Sequence, residues 1–350
     1  MNRVLSTVAL LILASLLLAH TFGTANGQMP PIGIIDFYGL RNISEPQARQ
    51  ALQIKEGDPV SASREEAQHR LEALPNVQQA QLAYVCCDAG KAILYVGISE
   101  KGAPTLHFRP APRGTARLPD IMIRAGEALA DAVTRSVVKG DVGEDDSQGH
   151  ALYYNTEARA LQERFIPFAA QNLKLLRAVL RESADQQHRA LAAEIIAYAP
   201  DKRAVVKDLV YGMSDPDDDV RNNAMRALGV IAKFAQNAPK QSIRITTAPF
   251  VNMLNSIEWT DRNKSSSALM QLTEKRDAAL MTSLRQHALQ SLVEMARWKS
   301  QGHAYSSFFI LGRVGNLSEE EIKRAWDNNN REALIQTVLR LIQHHKGHES

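Results

Sequence analysis

Apolar and polar positions change period along this 350-residue chain, and the changes divide it. Behind Arg3 an apolar run extends from Val4 to Ala19 and meets the small residues Gly23, Thr24, Ala25 and Gly27. A charged start, an apolar stretch and small residues near a cut site predict a secretory signal over residues 1–27, removed near Ala25 or Gly27, with an uncleaved membrane anchor as the alternative. Ile32 to Phe37 is apolar and β-rich, and Gly39 breaks it. Ser44 with Gln47, then Ser63 with Glu66, have the capping-box spacing of two helix starts, and Ala67, Leu71 and Leu74 share one face of the second helix. Pro75 and Asn76 stop that helix, and Val77 to Val85 and Ala92 to Ile98 alternate as strands about a turn at Asp88 to Gly90. The predicted order is β-α-α-β-β over residues 32–100.

Gly102, Pro104, Pro110, Pro112, Gly114 and Pro119 predict an extended linker that separates domains. Within 101–150 it is followed by a helix with Ile121, Ala125, Leu129, Ala132 and Val133 on its apolar face. Next comes a solvated acidic loop with Glu144, Asp145 and Asp146, which lacks the alternating oxygens of a calcium loop. From 151 to 345 the pattern is helical and recurs at long range. Leu228, Leu269 and Leu311 recur at nearly constant spacing, as do Val210, Val251 and Leu292, with a period of about 40 residues. Each pair of helices has to bury its apolar stripe against a neighbouring pair. Ser318 with Glu321 opens a further helix, Ala333 to Ile342 forms a terminal cap, and residues 346–350 are a tail.

Two resemblances attach to these residues. Asp36-Phe37-Tyr38-Gly39-Leu40, Gly57-Asp58-Pro59-Val60 and Leu74-Pro75-Asn76-Val77 look like a POTRA domain, the polypeptide-transport-associated module. That resemblance implies a binding module that receives a partner strand at a sheet edge, or else a small spacer. Asp215-Pro216-Asp217-Asp218-Asp219-Val220-Arg221, followed by Ala224, Leu228 and Ile231, closely resembles the turn and second helix of a HEAT repeat. Weaker copies carry Asp185 with Arg189 and Asp261 with Arg262, and a last copy around His303 and Leu311 lacks the Asp/Arg pair. The expected fold is therefore an α+β POTRA-like domain followed by an all-α HEAT-like solenoid.

In such arrays Asp185, Asp217 and Asp261 are expected to accept from backbone at helix starts, and Arg189, Arg221 and Arg262 to bridge to the next unit. Asn222, Asn223 and Arg226 lie between Ala224, Leu228 and Ile231, which predicts an exposed face and a partner surface. The aromatics Trp259, Trp298, Tyr305, Phe308 and Phe309 are expected in the core.

Charge changes this picture little: 41 Lys plus Arg against 38 Asp plus Glu demands neither nucleic acid nor a membrane surface as partner. Membrane contact is expected only if the N-terminal segment is retained. Cys86 and Cys87 are the only cysteines and form no disulfide framework; a vicinal disulfide, or one buried thiol beside an exposed one, are the alternatives. His344, His345 and His348 read as an exposed tail rather than a metal site. A nucleophile elbow, a phosphate-binding glycine loop and a paired-histidine zinc helix are absent, so neither catalysis nor a cofactor is expected. The reading is an exported, periplasmic, non-catalytic interaction protein whose partners are proteins of the envelope or outer membrane. The alternatives are a helical-repeat lyase or hydrolase with a cleft, and a structural spacer.

Overall fold

The computed structural model describes residues 30–60, 64–141 and 143–348, with side chains to residue 343 at the C-terminal end. The signal-like segment and Ser63 lie outside the described residues, and the tail histidines lie beyond the last described side chain. Two compact units are present, and neither is continuous in sequence. Among the described residues one comprises 107–250 with 267–272, and the other 30–106 with 251–266 and 273–348.

In the latter unit, β1 (Ile32–Tyr38), α1 (Glu45–Leu52), α2 (Arg64–Glu72), β2 (Val77–Asp88) and β3 (Lys91–Glu100) follow the expected order. Ser44 and Gln47 form the capping box of α1. Ala89 and Gly90 take positive φ at the hairpin turn. The sheet order is β1-β3-β2, with β1 parallel and β2 antiparallel to β3. A parallel pair needs a crossover, which α1 and α2 supply. They pack on one face over Ile32, Ile35, Leu82, Leu94, Val96 and Ile98.

Here the structure corrects the picture of a free-standing domain. The central strand β3 is buried almost throughout, because its second face is covered too. Tyr95 stacks on Trp259 at 5.1 Å and lies 4.9 Å from Trp298, ring to ring. Gly97 allows this approach: a Cβ there would fall 2.4 Å from the Ile257 carbonyl oxygen, which accepts from the Tyr38 hydroxyl at 2.6 Å. These helical residues, with α11 (Ala278–His287), α12 (Leu289–Ala296), α13 (Gln301–Val314), α14 (Glu319–Asp327) and α15 (Arg331–His348), share the unit with the sheet. Ser318 and Glu321 form the second capping box.

The other unit holds α3 (Asp120–Val138), the hairpin β4 (Glu144–Asp145) and β5 (Leu152–Tyr153), α4 (Thr156–Glu163), α5 (Phe165–Glu182), α6 (Gln186–Ile196), α7 (Lys202–Gly212) and α8 (Asp218–Asn237). The Pro/Gly-rich stretch is irregular, as its composition dictates, but from residue 107 on it is not a free tether. The Arg109 N–H donates to the Ser214 carbonyl at 2.9 Å, the Ala184 N–H to that of Gly114 at 2.8 Å, and the Leu118 N–H to His188 Nδ1 at 2.9 Å. Backbone groups with no ladder of their own find partners at helix ends. The buried stripe of α3 begins at Met122 rather than Ile121, which is half exposed.

In the repeat region α5 packs with α6, α7 with α8, and α11–α12 with α13, and between them in sequence come α9 (Ala248–Met253) and α10 (Trp259–Leu272). Leu228, Leu269 and Leu311 are wholly buried, as are Val251 and Leu292; Val210 is half-buried, and Leu209 takes the core position beside it.

Candidate functional site

The Asp and Arg residues of the repeat turns form one recurring device. Asp185 accepts from the Gln187 and His188 N–H groups at 3.0 and 3.4 Å, and Asp217 from that of Val220 at 3.1 Å, so each caps the helix behind it. Arg189 donates back to the Ser183 and Ala184 carbonyls, Arg221 to those of Asp215 and Pro216, and Arg262 to that of Ser256. The shared offset along the chain means that each guanidinium ties down its own turn. Arg189 also reaches the following turn, gripping both oxygens of Asp215 at 3.0 and 2.8 Å, and Arg262 reaches Glu294 at 2.9 Å. Asp215 is fully buried and additionally holds Arg109 and the Asp217 N–H. Asp261 stands within the first turn of α10 and accepts from Ser256 Oγ at 2.7 Å. Rings cover two of the arginines: Arg221 lies 4.0 Å over Phe108 and Arg262 4.5 Å over Tyr38. Sequence reasoning put Asp217 at the turn but missed Asp215 as the acceptor, since one run of aspartates does not say which faces inward.

The exposure expected of Asn222, Asn223 and Arg226 on α8 is not what the structure has. Asn222 and Asn223 are 3% and 4% exposed, and the Arg226 side chain is only 9% exposed. Asn222 Nδ2 donates to Asn223 Oδ1 at 3.1 Å, and Asn223 Nδ2 to the Ala190 carbonyl of α6 at 3.0 Å. Arg226 binds Glu144, so the acidic segment expected in solvent is instead folded against α8. Asp146 reaches Lys233 at 2.6 Å on the same helix. Opposite charge on the two segments explains the docking, and neither pattern alone reveals it.

A polar centre forms where this hairpin meets α6 and α8. Burial pushes the Glu194 carboxyl up to about 7, with Arg226 opposing and Glu144 adding to the rise. Burial works against the charge on Arg226, but Glu144 and its neighbours outweigh it and hold the guanidinium protonated. Tyr198 donates to the Ala151 carbonyl and accepts from Gln162 Nε2, both at 3.0 Å, and burial raises its pKa. Lys202 Nζ lies 2.9 Å from His150 Nδ1; burial and then this charge bring the imidazole down to about 4, and burial brings Lys202 to about 8. The cavity among His150, Glu194, Tyr198, Asn223 and Arg226 measures about 10 Å³. That is room for about one water and no substrate.

In the sheet-bearing unit, Trp259, Trp298, Phe308 and Phe309 are core residues, and Tyr305 is half-buried. His303 Nδ1 meets the Tyr95 hydroxyl at 2.7 Å, and burial, helped by Lys264, takes the imidazole down to about 3. The unfolded chain takes up this proton near the ordinary value of 6.5, so stability is full above 6.5 and falls as pH drops toward 3. Glu194 acts oppositely, its penalty fading as pH falls from about 7 to the ordinary 4.5. His303→Gln is therefore expected to spare about 2 kcal/mol of the loss between pH 7 and 4.5. Urea titrations at both pH values check this, and parallel losses in parent and variant would show that His303 does not titrate there.

The two sheet edges differ. On β1 the Ile32 N–H donates to the Asp58 carbonyl at 2.9 Å, the Gly57 N–H returns to the Ile32 carbonyl at 2.7 Å, and Arg49 and Lys299 both cap the Ile35 carbonyl. On β2 the Ala80 N–H points outward to Glu72 Oε1 at 3.1 Å. By the strand's period of two, Leu82 turns its backbone groups the same way, with no partner among the described residues. At the end of β2, Cys86 and Cys87 are joined to each other, Cys87 being exposed. A register shift between Val85 and Asp88 takes the pair out of the regular pleat that would have set the side chains on opposite faces.

Residues 173–244, from within α5 past the end of α8, match the family model for HEAT repeats. No curated protein matches the sequence. Helical repeats of this family are commonly protein-interaction or scaffold elements.

Proposed function

We infer that the chain is a non-catalytic scaffold of the cell envelope that binds protein partners, outer-membrane proteins among them, by accepting a strand at the outer edge of β2. The carrying observation is the asymmetry of the sheet: β1 is closed by the 57–58 turn, Arg49 and Lys299, whereas the outward backbone donor and acceptor of Leu82 on β2 have no partner among the described residues. The POTRA-like motif residues and the β-α-α-β-β order support the same reading, and the HEAT match supports a scaffold. Export to the periplasm is supported by Arg3 and the apolar run from Val4 to Ala19. The reading as an enzyme needs a cleft, and the cavity that gathers Glu194, His150 and Tyr198 is too small to serve as one.

A photo-crosslinking residue at Gln79, exposed on β2, is compared in producing cells with one at Glu56 beside β1. Discrete protein adducts are expected from position 79 and not from 56. Adducts from 56 alone, or from neither position, overturn strand addition at β2.

A further inference from the structure

We propose that the groove between α11, α13 and α15 binds a single-chain amphiphile with an anionic head, a long-chain carboxylate. The groove lies in the sheet-bearing unit and has a volume of about 510 Å³. Small-ligand sites typically span roughly 300–1,000 Å³. Globular partners need a broader contact, on the order of 800 Å² from each side.

The lining divides into two chemistries. Met281, Val314 and Ile342 give a buried apolar floor, and Leu341 beside them is 37% exposed, one of the few large apolar side chains left so among the described residues. Three guanidinium groups belong to the same lining, those of Arg276, Arg285 and Arg313. Arg276 and Arg313 share one carboxylate, Glu319, each at 2.9 Å. Arg285 donates to the Val314 carbonyl at 3.0 Å and to Thr282 Oγ1 at 3.4 Å, and has no ion pair among the described residues. Three guanidiniums against one carboxylate leave the groove cationic, and the planar fork of Arg285 suits a carboxylate head. Arg276 adds backbone strain, holding φ at +51°, and such residues cluster at ligand sites. Charge therefore selects an anionic head, and the apolar floor selects an aliphatic tail.

The test is calorimetric titration of the full chain with dodecanoate, octanoate and dodecyltrimethylammonium below their micelle concentrations. Dodecanoate is expected to bind one-to-one and about threefold tighter for each methylene added over octanoate. The cation is expected not to bind. Arg285→Gln and Leu341→Asp should each weaken dodecanoate at least tenfold while melting within about 2 °C of the parent, since both act at partly exposed groups. Arg203→Gln, exposed in the other unit, should change nothing. Equal binding of the cation, or dodecanoate binding untouched by both groove variants, overturns the site. An acidic amphipathic peptide that displaces dodecanoate with higher affinity also overturns it, by making the groove a protein contact. None of these outcomes bears on the β2 edge.

Discussion

Arg226→Glu is expected to destabilise the 107–250 unit at least as much as Leu228→Ala on the same helix. Leu228 is wholly buried, and trimming it to alanine leaves a cavity worth about 2–5 kcal/mol. The Arg226 side chain is nearly closed off from solvent, 9% exposed, and its guanidinium is the charge that compensates Glu144 and offsets Glu194. A glutamate there sets a third carboxyl among two, each losing its counter-charge; removing one partner of a buried pair alone costs about 3–5 kcal/mol. Arg226→Met separates the contributions. It keeps the side-chain volume without adding a like charge, so it should lose less than Arg226→Glu. Urea unfolding of the three variants decides the matter. An Arg226→Glu variant within about 0.5 kcal/mol of the parent would mean that the guanidinium stands in solvent after all.

Asp215→Ala is the second large effect. This carboxylate is fully buried, takes two hydrogen bonds from Arg189, pairs with Arg109 and accepts from the Asp217 N–H. Its removal leaves the buried Arg189 without its counter-charge and loosens the turn that Asp217 caps. A loss of about 3–5 kcal/mol is expected. Glu157→Ala is the matched control, because its pair with Arg135 is more than half exposed on both sides and should be worth less than about 1 kcal/mol. Comparable losses in the two variants would show that the array is not held by the Asp215 pairing. Shielding distinguishes the two further, as 1 M salt should weaken the surface pair and leave the buried one nearly unchanged.

What was legible in the sequence is what short-range geometry controls. The capping boxes at Ser44/Gln47 and Ser318/Glu321, the turn at Ala89 and Gly90 and the helix over Asp120–Val138 each depend on a few neighbouring residues. The repeat was legible for a related reason. Leu228, Leu269 and Leu311 occupy equivalent interior places, and an interior place admits few side chains.

Periodicity, however, reports which residues share a helix face and not what covers the opposite one. Arg226 looks solvent-facing along α8 until Glu144, 82 positions away, closes over it. β3 looks half-exposed until Trp259, Trp298 and His303 arrive from beyond residue 250, the last of them 208 positions from Tyr95. The asymmetry of the sheet edges has the same origin, since Lys299 caps Ile35 from 264 positions downstream. By itself, then, the sequence determined the order of elements, their caps and the period of the helical pairs, all set by local dihedral preference and by apolar stripes that must be buried. Only the tertiary structure decided which charged groups are interior and which strand edge stays open, because those depend on the segment that finally covers each face, and no local preference encodes it.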